Sequence, residues 1–300
     1  MILRKHTNRL QTYFIPMPAT TPRRYISASR RTDLPRFFYE QFFAALKSGS
    51  ITYHGGYGRN YTVSLKPDAV AGFIFWSKDY SRFINHPAFI DLIKHTNAIF
   101  HYTINNDHFL EPGVPPLAER LSTLERLCDM VGPKRVLWRF DPICKYLLNS
   151  KIIITADPFF DIIPTMQKLS VTSCYFSFMS SYAKTTKRSI KFLPFSDEEK
   201  LSIAGSMLKA AQQSSITLYN CCNPEIIRLI PEIKKAHCID EELLAATDRF
   251  GIHQSLKPKP SRNSCGCFES RDIGEYNPPC NHGCRYCYAN PIASLMTNSG

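Results

Sequence analysis

Short β-rich runs alternate with amphipathic stretches along most of this chain, and that alternation limits the fold more than any other feature. The runs at 25–29, 72–76, 98–103, 135–139, 174–178 and 216–220 are apolar and rich in Ile, Val, Phe and Tyr, as strands buried on both faces must be. Between them, Phe38, Phe42, Ala45 and Leu46 share one helical face over 36–47, and Gly49 follows as a stop. Leu117, Leu121, Leu124 and Cys128 recur at helical spacing over 116–130. Ser196 and Glu199 form a capping-box pattern that opens a helix to about residue 213. Residues 224–235 and 239–248 read as two more helices. Strand–helix alternation of this kind implies a parallel sheet covered by helices. The expected fold is α/β, a partial or complete (β/α) barrel, with a doubly wound sheet as the alternative.

In both architectures the C-terminal strand ends form the site, and here those ends are polar. They carry Ser29, Arg30, Arg31 and Asp33, then Lys78, Thr103 and Asn105, then Arg139 and Asp141, then Ser177 and Lys184, and finally Asn220, Cys221 and Cys222. Converging on one face, these groups would line a mostly basic bowl suited to a carboxylate or phosphate. Taken singly, pairs such as Arg139 and Asp141 are also what a structural ion pair looks like. The glycine-rich stretch from His54 to Gly58 has no following Lys-Ser/Thr, so a loop reading is favoured over a phosphate cradle.

The chain's chemistry concentrates at its end. Cys280, Cys284 and Cys287 form C-x3-C-x2-C, with Tyr286 just before the last thiol and Tyr288-Ala289-Asn290-Pro291 after it. Three closely spaced thiolates can grip a four-iron cluster and leave one iron open. Zinc is the rival. It prefers paired C-x2-C units and four ligands, and Cys265, Cys267 or His282 could complete such a set. Cys265 and Cys267 sit so near the triplet that a metal-related role is expected for them too. Cys221 and Cys222 stand at a strand end, where a thiol can donate a hydrogen atom or bind metal. Cys128, Cys144, Cys174 and Cys238 read as inert core thiols.

The string CNHGCRYCYANP resembles the triplet of radical S-adenosylmethionine enzymes, most of all the branch related to spore photoproduct lyase. From Ile26 onward the chain also resembles the domain-of-unknown-function 1848 family, through ISASRRTDLP (26–35), FWSKD (75–79), EPGVPPL (111–117), RFDPI (139–143) and CGCFESRDIGEY (265–276). The first resemblance implies a [4Fe-4S] cluster on Cys280, Cys284 and Cys287. Its open iron would chelate S-adenosyl-L-methionine, and Tyr286 would lie near the adenine. In those enzymes the triplet normally follows the first strand, whereas here it lies at the C-terminus. That departure implies a barrel circularly permuted relative to theirs, a rearrangement that nearby termini tolerate. A glycine-glycine-glutamate-like motif for the methionine amine is absent from the expected strand end. Permutation would bring the 26–33 stretch after the cysteine loop, which makes Ser29, Arg31 and Asp33 candidates for cofactor contact. Lys78, Arg139 and Asp141 are then the catalytic candidates on the substrate side.

Bulk properties set the remaining bounds. Hydrophobic residues make up 44% of the 300, enough for a substantial core. No apolar stretch approaches the roughly 20 residues that span a bilayer. Eleven cysteines without a secretory signal suit a reducing, cytoplasmic setting. Residues 1–24 carry five basic residues and no acid and read as a disordered extension, 25–256 as the barrel body, and 257–300 as a linker with the cysteine segment. The net charge of +12 favours polyanions. Two functions follow. One is a radical S-adenosylmethionine enzyme that generates a 5′-deoxyadenosyl radical to abstract hydrogen from a nucleic-acid or other anionic substrate, with a flavodoxin or ferredoxin as electron donor. The other is a non-catalytic nucleic-acid-binding protein with a structural zinc or iron–sulfur site.

Overall fold

The computed structural model describes residues 22–54, 59–180, 185, 188 and 190–289. Most of the expected extension, the glycine-rich loop at 55–58, Lys184, Asn290 and Pro291 lie outside them. Twelve strands occur among the described residues: β1 (Arg24–Ala28), β2 (Ser50–His54), β3 (Asn60–Ser64), β4 (Val70–Ser77), β5 (Ala98–Thr103), β6 (Val136–Ile143), β7 (Lys145–Leu148), β8 (Lys151–Ile154), β9 (Ser173–Phe178), β10 (Thr217–Asn220), β11 (Lys234–Lys235) and β12 (Arg271–Asp272). Eight form one sheet in the order β12-β1-β4-β5-β6-β9-β10-β11, and every pairing in it is parallel. β2–β3 and β7–β8 are separate antiparallel hairpins.

From β1 to β11 each new sheet strand joins the same edge. A doubly wound sheet would reverse direction at a switch point, and this order has no such reversal. β12 is the exception. It comes last in the chain yet pairs with β1, Ile26 opposite Arg271 and Ser27 opposite Asp272.

All six expected strands form. The alternation of side chains along them explains how the site is built. One face carries Phe73 and Phe75 of β4, Phe100 and Tyr102 of β5, Trp138 and Phe140 of β6, and Phe176 of β9. These pack in one cluster with Phe42 of helix Tyr39–Ser48, Leu124 and Leu127 of Leu117–Val131, Phe159 and Ile162 of Pro158–Lys168, and Met207 of Asp197–Gln213. Burying each such side chain is worth about 1.5–3 kcal/mol. The other face starts apolar and turns polar toward the C-terminal ends: Leu137, Arg139, Asp141 along β6, Ile99, His101, Thr103 along β5, Tyr175, Ser177 along β9. Its apolar half packs against Ile239, Leu244, Leu256 and Cys267 from the C-terminal third of the chain.

The capping box forms at Ser196 and Glu199 as the sequence suggests. The helix expected over 224–235 does not run that far. It ends at Leu229, and Lys234–Lys235 are strand. Pro231 explains the stop, because the residue before a proline is pushed out of the helical region and the proline has no N–H to donate. Residues 257–264 are exposed.

Candidate functional site

A cavity of about 730 Å³ opens at the C-terminal ends of the parallel strands. The catalytic, cofactor and metal candidates from the sequence line it, namely Ser29, Arg31, Asp33, Lys78, Arg139, Asp141, Cys265, Cys267, Cys280, Cys284, Tyr286 and Cys287, whereas the strand-end residues Asn105, Asn220 and Cys222 do not. Seven of the eleven cysteines reach its wall: the five metal candidates, the strand-end thiol of Cys221, and Cys238. Cys238 is buried in the apolar cluster on this face, as expected of a core thiol, and also reaches the cavity wall.

The triplet sits on a tightly fixed loop. Gly283 adopts φ +61°, a conformation glycine takes without strain. Arg188 donates to the carbonyls of Cys284, Arg285 and Cys287 and so gathers the loop from below its backbone. His282 acts as a strut. Its ring contacts the Asp33 carboxylate at 2.8 Å through Nε2 and the Gly113 carbonyl at 3.1 Å through Nδ1. With both nitrogens engaged inside the protein, His282 does not serve as the fourth ligand in this arrangement. Gly113 also donates its N–H to the His282 carbonyl at 2.9 Å. A Cβ on Gly113 would stand 2.5 Å from the Asn281 carbonyl oxygen, so only glycine permits this approach.

Asp33 is the latch that joins this loop to the sheet. Besides His282 it accepts from the Ser77 hydroxyl at 2.7 Å, the Lys78 N–H at 2.8 Å and the Arg36 N–H at 3.0 Å, capping helix Leu34–Phe37. Asp272 does the equivalent work where β12 meets β1. It accepts from Ser27 and Ser29 hydroxyls and the Arg30 and Gly274 N–H groups, and Arg30 and Arg31 pair with it. Asp272 and Glu111 were not singled out from the sequence, because a lone acid carries no local signal.

Glu111 is buried beneath the triplet. It accepts from Lys78 at 2.8 Å, from Asn105 at 3.0 Å and from the Tyr286 hydroxyl. Burial alone would raise its carboxyl, but the Lys78 and Arg120 cations outweigh burial and hold it at about 2. Burial likewise opposes the charge of Lys78, and Glu111 and Cys284 overcome it, so the ammonium is held above its ordinary value. Its ammonium lies 5.5 Å from the centre of the Tyr286 ring. Burial pushes the Cys284 thiol well up, with Lys78 countering, and Cys280 up to about 12.

On another part of the wall, Arg139 pairs with Asp141 and reaches Cys238 Sγ at 3.2 Å. Asp141 also accepts from the Ser177 hydroxyl, while Asn105 brackets its backbone. Burial, then the Arg139 charge, depress neighbouring His101 to about 3, so its imidazole stays neutral.

Among the described residues no three His, Cys, Asp or Glu side chains already surround one point as a single-ion site. The donor set nevertheless suits a thiophilic centre: three thiols on one fixed loop, and a buried cation, Lys78, close enough to Cys284 to offset thiolate charge.

Fold and site together define an α/β protein with a thiol-rich cavity over the C-terminal ends of a parallel sheet. The chain belongs to the family described as Domain of unknown function (DUF1848), whose model matches residues 25–289. A comparison with curated proteins finds no match.

Proposed function

We propose that this is an iron–sulfur enzyme of the radical S-adenosylmethionine type, built on a permuted (β/α) barrel. One observation carries the reading. Cys280, Cys284 and Cys287 follow the edge strand β12, which lies beside β1, and they face the same cavity as the strand-end polar groups. In spatial order the cysteine loop thus precedes β1, as it would on a barrel whose chain had been re-cut. Closure between β11 and β12 would complete the barrel.

Cys280, Cys284 and Cys287 would hold a [4Fe-4S] cluster, which when loaded supplies an electron and an open iron for S-adenosyl-L-methionine. The chain's own residues do the rest. Asp33 and His282 fix the loop, Glu111 positions the Tyr286 hydroxyl, and Lys78 balances the thiolates. Ser29 and Arg31 stand at the β1 end, within reach of a cofactor in the cavity. Arg30, Arg31, Lys78, Arg139 and Arg262 on the wall outnumber Asp33, Asp141 and Asp272 there, which suits an anionic substrate, nucleic acid included. Electrons would come from a small donor such as a flavodoxin or ferredoxin. Among the described residues no helix is long and apolar enough to cross a membrane.

The test is anaerobic reconstitution with iron and sulfide, followed by electron paramagnetic resonance with and without S-adenosyl-L-methionine. The expected result is a reduced-cluster signal that shifts on adding the cofactor. Cys284→Ala should abolish that response. A signal indifferent to the cofactor, or zinc at one per chain with no cluster, would favour the binding-protein reading instead.

A further inference from the structure

The four cavity cysteines outside the triplet form a group of their own. Cys221 directly follows β10, Cys238 lies three residues beyond β11, and Cys265 and Cys267 belong to the C-terminal segment. Cys221, Cys238 and Cys267 belong to one buried cluster, Cys265 packs against it, and all four line the cavity. All four are free thiols, and Cys221, Cys238 and Cys267 are buried.

The backbone is arranged to bring them together. Gly266 lets the Cys-Gly-Cys turn press against the chain beside Cys238. A Cβ there would stand 2.9 Å from the His237 ring and 3.1 Å from the Ala236 carbonyl oxygen. Phe268 donates its N–H to the Ile239 carbonyl at 3.1 Å, and Cys265 to that of Arg262 at 3.1 Å. The first tie holds the turn against the chain beyond β11, and the second closes the turn itself.

Buried cysteines are often plain apolar filler. Filler does not attract guanidinium groups, and this group has two. Arg139 Nη1 lies 3.2 Å from Cys238 Sγ, and Arg262 Nη2 lies 3.4 Å from Cys221 Sγ. Arg262 Nε also reaches Cys222 Sγ at 3.0 Å. Cations set against sulfur are what an anionic tetrathiolate centre needs, and hydrogen bonds to sulfur tune such centres. Structural zinc usually takes its ligands as closely spaced C-x2-4-C pairs. Here one C-x-C meets two single positions on separate strand exits.

We infer that Cys221, Cys238, Cys265 and Cys267 hold a second iron–sulfur cluster, closed by four thiolates and facing the same cavity as the triplet. Having no open iron, it would bind neither S-adenosyl-L-methionine nor substrate through metal. This assignment stands whether or not the triplet reading does.

Three full-length proteins, each reconstituted without oxygen using ferrous iron and sulfide, provide the test: the natural chain, the triple variant C280A/C284A/C287A, and the double variant C238A/C267A. Iron, sulfide and zinc are measured per chain, with electron paramagnetic resonance of each reduced sample. The triple variant should keep about half of the natural chain's iron and sulfide, roughly four irons, with a signal that ignores S-adenosyl-L-methionine. The double variant should lose the complementary half. A triple variant that binds no iron, or takes up zinc instead, overturns the second cluster even if the double variant fails to fold. If the natural chain holds about four irons and all are lost only in the double variant, the second cluster stands and the triplet reading falls.

Discussion

Lys78 and Glu111 are buried together beneath the triplet, their side chains 14% and 3% exposed. Breaking such a pair by removing one charge costs about 3–5 kcal/mol, because the survivor stays buried without its partner. Glu111→Gln should lower stability by that order in urea denaturation. The pH dependence has a definite sign. Glu111 is held at about 2 against an ordinary 4.5, so its contribution is fully present above 4.5 and fades as pH falls toward 2. Glu111→Gln should flatten the stability profile across that window, and an unchanged acid limb would contradict the pairing. The sequence placed Lys78 at a strand end but not Glu111 beside it. Their 33-residue separation in sequence is bridged only in the folded chain.

One tight backbone approach does at the scale of elements what the ion pair does for residues. The turn around Gly113 and the triplet loop touch through main-chain atoms, so side-chain trimming cannot relieve a clash there. Gly113→Ala should force the loop aside, with a cost of about 1–3 kcal/mol. Iron loading after reconstitution should fall more than the far-UV circular dichroism changes. Equal iron retention would show that the loop tolerates displacement. The six long strands were legible because each is a short apolar run, and the helix capped by Ser196 because its box is local. β11 and β12, of two residues each, were not legible. Strands that short carry no periodicity and exist only through their neighbours.

Across the whole molecule, β12 beside β1 sets the topology. If the chain is a re-cut barrel, new ends opened in the exposed 257–264 stretch should cost little once the present ones are linked. A permutant running from Ser261 through Gly300 into Met1 and ending at Pro260 should fold with unchanged circular dichroism. It should also keep the iron content of the natural chain. Failure to fold under conditions that fold the natural chain would count against the permuted-barrel reading.

What the amino-acid sequence determined by itself was local: apolar runs and helical periods that dictate a parallel α/β sheet, polar residues at the strand ends, and three thiols spaced to share one loop. These depend on neighbours a few residues apart, where chain geometry leaves few choices. Tertiary structure decided what depends on distant segments meeting. It placed the last strand beside the first, buried Glu111 under the triplet, used His282 as a strut, and set the core thiol of Cys238 against Arg139 at the cavity wall. Those outcomes rest on burial and close packing between parts of the chain far apart in sequence, and no local pattern encodes them.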